Sequence, residues 1–220
     1  ENRLVAVDTD GDGASDVHNQ YDADGIRVAQ SAGAEEMRYL IDANLPLAQV
    51  QEEYTPGGVI KVSYVFGNGL ISQNRSGVKS FYHVDRLGST RLLTNASGLV
   101  TDSYIYDAFG RTIAQAGPTT NLYLFAGQQR DLLTGLDYLR ARHLSPSLGR
   151  FVSRDPFSPS LRSPSSLNRY PYSLNDPVNR IDPSGLASMS LPDVLVSIAI
   201  RGIIGSVVEA SSYTVMNAPF

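Results

Sequence analysis

The residues of this sequence best suited to chemistry are aspartates that stand directly before proline. Three such pairs occur in the C-terminal half, at Asp155-Pro156, Asp176-Pro177 and Asp182-Pro183. Two carboxylates that lie close together cannot both ionise at low cost, so one can donate a proton while the other accepts one from water. Aspartate before proline is also a common turn sequence, because proline forces an extended conformation and the carboxylate bonds nearby backbone. The pairs predict either an acid–base site or a set of turn markers.

A second group of aspartates lies near the N-terminus. Asp8, Asp10, Asp12 and Asp16 occupy positions 1, 3, 5 and 9 of a loop that has a glycine at position 6. This spacing matches the start of an oxygen-ligand calcium loop, in which a sharp glycine turn brings alternate carboxylates to one hard cation. The twelfth position is Asn19 and not the bidentate glutamate of an EF-hand. The alternatives are a looser calcium loop and an acidic turn between two strands.

The composition excludes several classes of function. Charged residues are 18% and the net charge is -4, which gives no electrostatic footprint for nucleic acid or an anionic membrane. There is no cysteine, so disulfides and thiolate metal sites are excluded. The histidines have no ligand spacing and are interpreted as packed or surface residues: His18, His83 and His143. The 19 glycines, 12 prolines and 12 tyrosines favour a turn-rich β protein.

The elements that must position these residues are short strands joined by glycine turns. An internal repeat, Tyr-Asp-Ala-x-Gly, begins at Tyr21 and again at Tyr106. Alternating apolar and polar residues around each copy predict strands with one buried face, and the glycine fits a turn position with positive φ. Residues 34–42 are predicted to be another strand. Because the repeat array begins in mid-pattern, further repeats are expected upstream.

From residue 104 to residue 186 the chain resembles the RHS repeat-associated core of bacterial Rhs and YD-repeat proteins. The resemblance is carried by five blocks in the family's order, which are Tyr106–Arg111, Phe125–Gln128, Thr134–Leu136, Gly149–Phe151 with Arg154–Pro156, and Asp182–Leu186. It implies a mainly β fold, in which YD-repeat hairpins form the end of a spiralling β-sheet shell that the core domain closes. The predicted domains are hairpins over 1–103, the core over 104–186 and a variable tail over 187–220. The resemblance also implies that residues 132–142 pair as strands, as the matching segment does in the family.

The resemblance also implies a site. In Rhs proteins and the related C components of Tc toxins, an aspartyl autoprotease cleaves after the Asp-Pro-x-Gly-Leu motif. Carried over to this chain, Asp155 and Asp182 are the paired carboxylates, Arg154 is their orienting cation, and the scissile bond is Leu186-Ala187. Asp176 is a rival partner for Asp182. Such an enzyme would act once on its own chain and would need no cofactor, with calcium as the one cation that the sequence suggests.

The expected function is therefore the C-terminal core of an Rhs toxin-type protein, capping a shell that encapsulates a C-terminal effector. Its partners would be the upstream shell and its own effector segment, with no nucleic acid. The location would be secreted or cell surface. The tail contains an apolar run, 195–208, that is shorter than the ~20 residues of a membrane span. It is interpreted as a truncated effector or a hydrophobic peptide, with a peripheral membrane segment as the alternative. The competing function is a non-catalytic structural or surface-interaction module, stabilised by calcium.

Overall fold

The computed structural model describes residues 3–45, 47–158, 164–190 and 192–193. Its main feature is one antiparallel sheet of eleven strands, each paired with its neighbours in chain order. The strands are β1 Ala6–Val7, β2 Val17–Tyr21, β3 Arg27–Ala32, β4 Glu35–Asp42, β5 Gln49–Tyr54, β6 Ile60–Phe66, β7 Leu70–Arg75, β8 Val78–Val84, β9 Thr90–Thr94, β10 Val100–Tyr106 and β11 Thr112–Ala116. The predicted mainly β class is confirmed, and β4 is the strand expected at residues 34–42.

The repeat motif forms one kind of hairpin turn. In the first copy, the carboxylate of Asp22 accepts the N–H of Ile26 at 2.8 Å, and Gly25 has φ +80°. Asp107 and Gly110 repeat this arrangement, with Gly110 at φ +90°. The same turn recurs at residues 55–59, 85–89 and 95–99. The side-chain oxygen replaces the hydrogen bonds that the turn interrupts, and glycine supplies the positive φ, so a short local sequence determines each hairpin.

The C-terminal part folds into a second, smaller sheet. Its four strands are β12 Gln129–Arg130, β13 Asp137–Leu139, β14 Arg142–Ser145 and β15 Arg150–Phe151, in that order. A separate strand pair is formed by β16 Arg180–Ile181 and β17 Met189–Ser190. Short 3-10 turns occur at Phe125–Gly127, Pro164–Leu167 and Tyr172–Asn175. Residues 132–142, predicted to pair as strands, contribute only β13 and the first residue of β14.

The large sheet continues past the predicted domain boundary. Residues 103 and 104 lie inside β10, which pairs with both β9 and β11. The large sheet ends at Ala116, the last residue of β11, and the small sheet starts at Gln129, the first residue of β12. The predicted tail is described only to residue 193, so the apolar run 195–208 lies outside the described residues.

The two sheets share one hydrophobic core made largely of aromatic side chains. Strands β6, β8 and β10 contribute Tyr64, Tyr82 and Tyr104, and the C-terminal part contributes Phe151 and Tyr172. Polar contacts join the sheets as well. The Arg27 guanidinium on β3 donates to Gln129 at 2.9 Å and lies 4.4 Å from the centre of the Tyr138 ring. The small sheet is therefore fixed against one face of the large one.

Candidate functional site

A buried arginine on β14 is the centre of the candidate site. All four residues of β14 are buried, so the side chain of Arg142 enters the core and its guanidinium lies 3.7 Å from the centre of the Phe151 ring. Its Nε donates to the carbonyl of Gly185, and its Nη1 donates to the carbonyl of Arg169 at 3.4 Å. Burial lowers the pKa of Arg142, which Asp155 and Asp182 oppose. Arginine remains charged in such places, so this is a fixed cation.

Two of the predicted catalytic aspartates meet at this cation. The Nη2 atom of Arg142 lies 3.0 Å from Oδ2 of Asp155 and 3.4 Å from Oδ2 of Asp182. The aspartates come from segments 27 positions apart in the chain, and one nitrogen atom contacts both. The structure therefore brings Asp155 and Asp182, the two aspartates of the predicted site, to the same guanidinium.

Asp182 also contacts the predicted scissile bond. Its side chain is only 2% exposed. Its Oδ1 atom accepts the backbone N–H groups of Leu186 at 3.1 Å and Ala187 at 3.2 Å. Burial raises the pKa of Asp182, while Arg142 and the Ala187 amide oppose that rise. The hydrogen bond from the Ala187 amide places an acidic side chain in contact with the predicted scissile bond.

The turn that follows Asp182 is held in place by hydrogen bonds from the β13–β14 turn. The Ala141 amide donates to the carbonyl of Ser184 at 3.1 Å, and Arg140 donates to the carbonyl of Pro183 at 2.6 Å. Gly185 has φ +74° and lies so close to this turn that an added Cβ would be 2.9 Å from the backbone nitrogen of Arg142. These contacts fix the path of the chain up to Leu186, which is half-buried, and Ala187, which is exposed.

Asp155 is more accessible than Asp182, with 22% of its side chain exposed. Its Oδ1 atom accepts the Phe157 amide at 2.9 Å, and its backbone N–H donates to the carbonyl of Arg169 at 2.9 Å. The two carboxylates therefore differ in surroundings, with one buried at the peptide bond and the other open to water. Such a difference separates the roles of two acidic groups.

Two other sequence predictions have different outcomes. The guanidinium between the two carboxylates belongs to Arg142, while Arg154, predicted as the orienting cation, is exposed. Asp176 holds a turn, where its carboxylate accepts from Asn179 at 2.9 Å and its carbonyl accepts from Arg180 at 3.0 Å. Arg142 was not among the residues that the sequence predicted for the site, and its burial between two carboxylates reveals its role.

The N-terminal acidic loop brings three of its four predicted ligands together. One carboxylate oxygen each of Asp8, Asp10 and Asp16 lies within 4.8 Å of the others. Asp12 is outside this group, and its carboxylate accepts the Ala14 amide at 2.7 Å. Backbone N–H donors lower the pKa of Asp8, and Thr9 lowers that of Asp16. Both carboxylates are thus anionic at neutral pH.

No helix among the described residues is both long enough and apolar enough to cross a membrane.

The antiparallel sheet of successive hairpins, with the small sheet packed on one face, is the fold of a YD-shell protein. The profile of the family described as Teneurin YD-shell matches residues 3–178, so the chain belongs to that family. The tRNA nuclease WapA of Bacillus subtilis is 33% identical over 190 residues, which cover 84% of this chain and 8% of WapA. The toxin protein Tse5 of Pseudomonas aeruginosa is 33% identical over 107 residues, covering 49% of this chain and 8% of Tse5.

Solved structures show the same fold. In the crystal structure of TcdB2-TccC3-Cdc42, the matching chain has a TM-score of 0.60 at 20% identity, over 83% of this chain and 9% of that one. The relatives are thus YD-shell proteins associated with toxins, and this chain spans less than a tenth of their length.

Proposed function

We propose that this chain is the C-terminal core of an Rhs toxin-type protein, and that it cuts its own backbone once, between Leu186 and Ala187. The observation that carries the proposal is the position of Asp182. Its buried carboxylate touches the nitrogen of that peptide bond and shares a guanidinium with Asp155. In this site the substrate is already bound, because the chain itself supplies it.

The reaction is a hydrolysis with two aspartates in different roles. Asp155, the more accessible carboxylate, accepts a proton as water adds to the carbonyl carbon of Leu186. Asp182, whose pKa is raised by burial, gives its proton to the nitrogen of Ala187 as the carbon–nitrogen bond breaks. Arg142 stays charged throughout, and it holds the two carboxylates at a fixed separation. Because the products are not replaced by a new substrate, each chain reacts once.

Intact mass spectrometry of the freshly purified chain tests this proposal. The parent is expected to give two products that correspond to residues 1–186 and 187–220, and Asp155→Asn and Asp182→Asn are expected to stay whole. Asp176→Asn is the matched control, because Asp176 also precedes a proline but holds a turn outside the site. Chemical cleavage of the acid-labile Asp-Pro bonds would give different masses. A parent that remains whole, or a break that persists in Asp182→Asn, would overturn the proposal.

The core is further proposed to cap a β-sheet shell that encloses the segment released by this cut. The sheet of eleven strands, covered on one face by the small sheet, supports a role as the closed end of a larger shell. Its partners would be the upstream shell and its own C-terminal segment, and its location would be outside the producing cell or on its surface. The similarity to WapA and Tse5 supports this context.

A second candidate function is a calcium-stabilised structural module. It is favoured by the three carboxylate oxygens of Asp8, Asp10 and Asp16, which would hold the cation. For a site of millimolar affinity, we expect ~10 mM CaCl₂ to raise the melting temperature by about 3–6 °C, measured by scanning fluorimetry. Asp10→Asn should remove the rise, and Asp24→Asn, at an exposed turn outside the cluster, should not. An equal rise with MgCl₂, or in Asp10→Asn, would contradict specific calcium binding.

A further inference from the structure

The chain that follows the proposed cleavage point is bound by its own set of contacts. Strand β17 pairs antiparallel with β16, with Arg180 opposite Ser190 and Ile181 opposite Met189. The side chain of Arg180 donates twice to Ser188, at 3.0 Å to the hydroxyl and at 3.1 Å to the carbonyl. None of these contacts uses the Leu186-Ala187 bond, so breaking that bond leaves all of them in place.

The carboxylate of Asp182 lies at the start of this bound segment. Its Oδ1 atom accepts the Ala187 N–H at 3.2 Å and the Leu186 N–H at 3.1 Å, and the Ser184 hydroxyl lies 3.3 Å away. Its Oδ2 atom lies 3.4 Å from Arg142. A buried carboxylate is costly unless it is paired, and here the nitrogen of Ala187 is one of its hydrogen-bond partners.

Hydrolysis changes the charge of that partner. One water is added, its oxygen goes to the carbonyl carbon of Leu186, a proton goes to the nitrogen of Ala187, and the carbon–nitrogen bond breaks. At neutral pH the products are a carboxylate on Leu186 and an ammonium on Ala187. The neutral N–H that Asp182 contacted thereby becomes a cation at the same position. A hydrogen bond between charged groups is stronger than the neutral one that it replaces.

We propose that Arg180, Ile181 and Asp182 form a binding site for a peptide with a free N-terminus, and that this site holds residues 187–190 after the chain is cut. This inference rests on the proposed function. The ligand is an extended peptide that starts with a small residue, has its α-ammonium on Asp182 and lies as a strand along β16. The side chain of Arg180 recognises the second residue of this peptide by donating to that residue's hydroxyl and to its backbone carbonyl. The cut therefore separates the chain covalently while leaving the two parts bound.

The first experiment measures retention in the full chain. After cleavage has been quantified by intact mass, the sample is passed over a gel-filtration column in native buffer. The segment 187–220 is expected to elute with residues 1–186. In Arg180→Ala, the retained fraction among cleaved molecules is expected to fall about tenfold, because both contacts with Ser188 are lost. Arg86→Ala is the control, at an exposed turn position of the large sheet.

The second experiment uses the parent protein, so its result does not depend on whether a variant folds. A synthetic peptide with the sequence of residues 187–193 is added in excess to the cleaved protein, and release of the native segment is followed on the same column. The free-amine peptide is expected to displace the segment. The N-acetylated peptide should be at least about tenfold weaker, because it cannot form the ion pair with Asp182.

The outcomes distinguish the proposed peptide-binding site from the proposed cleavage. A chain that is not cut overturns both proposals. A chain that is cut but loses 187–220 on the column overturns the peptide-binding site alone. Displacement by the acetylated peptide with the same potency as the free amine would also overturn that site. Retention that depends on Arg180, together with a preference for the free amine, supports the binding site.

Discussion

At the scale of single residues, the neighbour of Arg142 on β14 is as unusual as Arg142 itself. His143 is 3% exposed, its ring lies 5.1 Å from that of Tyr138, and its Nε2 atom has no hydrogen-bond partner among the described residues. Burial, with a contribution from the charge of Arg27, lowers the pKa of His143 to about 3. The imidazole is therefore neutral in the folded protein at any pH at which the protein is handled.

This lowered pKa predicts a specific pH dependence of stability. The unfolded chain binds a proton at His143 below pH ~6.5, and the folded chain does not until about pH 3. The contribution of His143 is therefore complete above the unfolded pKa and is lost as the pH falls from there towards 3. Relative to His143→Gln, the free energy of unfolding of the parent should drop by about 2–3 kcal/mol between pH 7 and ~4.5.

Urea unfolding of both proteins at several pH values measures this difference. The comparison with His143→Gln is needed because burial also raises the pKa of Asp137, to about 6, which changes stability in the opposite direction over an overlapping range. Both proteins contain Asp137, so its effect cancels in the difference, as does any constant cost of glutamine. A difference that does not change with pH would show that His143 is not held neutral in the folded state.

The residues of the candidate site were only partly predictable. Asp155 and Asp182 belong to family blocks, so the sequence predicted both, and the structure places them on one guanidinium. Arg142 could not be predicted from the sequence, because it lies 13 positions before Asp155 and no local pattern marks it. Its place at the site follows from the burial of the whole of β14, and that burial results from packing against distant strands.

At the scale of elements, the turn after Asp182 depends on Gly185. It adopts φ +74°, and a Cβ there would contact the carbonyl oxygen of Leu139 and would lie 2.9 Å from the Arg142 amide. Gly135 has a similar φ of +69°, but a Cβ at that position would meet no atom within 4 Å. The two glycines share the conformational requirement and differ only in the space around them, so they form a matched pair.

Gly185→Ala and Gly135→Ala should therefore differ in stability. The positive φ alone should cost each variant about 1 kcal/mol, and the clash with the β13–β14 turn should cost Gly185→Ala about 2 kcal/mol more. Urea unfolding of the two variants beside the parent measures both values. Gly185→Ala should also slow the cut at Leu186, because the displaced turn carries the Ala187 amide away from Asp182. Equal costs for the two variants would mean that the turn moves freely and does not position the bond.

The predictability of the elements follows the range of the interactions that form them. The turns at Asp22 and Asp107 were visible as a repeated motif, because each is determined by five consecutive residues. The turn at Thr55 was not recognised, since threonine replaces the aspartate there. The four short strands of the small sheet had no clear periodic pattern, because residues on both faces of β13 and β14 are buried.

At the scale of the whole molecule, the junction between the sheets is formed by residues far apart in the sequence. Arg27 and Gln129, which hydrogen-bond at 2.9 Å, are 102 positions apart, and no local pattern links them. The family resemblance predicted that the core closes the sheet, but the contacts that hold it there required the structure. Strand β11 is the last strand of the large sheet, and within the described part of the chain it is paired only with β10.

This edge predicts that the 220-residue chain associates through β11. A strand paired on one side presents unpaired N–H and C=O groups that another copy can bind, and Ile113 adds an apolar side chain that is 61% exposed. Ile113→Lys should reduce association, because a charge on an edge strand opposes pairing between copies. Val78→Lys is the control, since Val78 is 68% exposed but lies on β8, which is paired on both sides. Sedimentation velocity over a concentration series should show a smaller increase in mean sedimentation coefficient for Ile113→Lys than for Val78→Lys. If the two variants associate equally, the contact between copies is a general apolar one, and the edge of the sheet is already protected in the isolated chain.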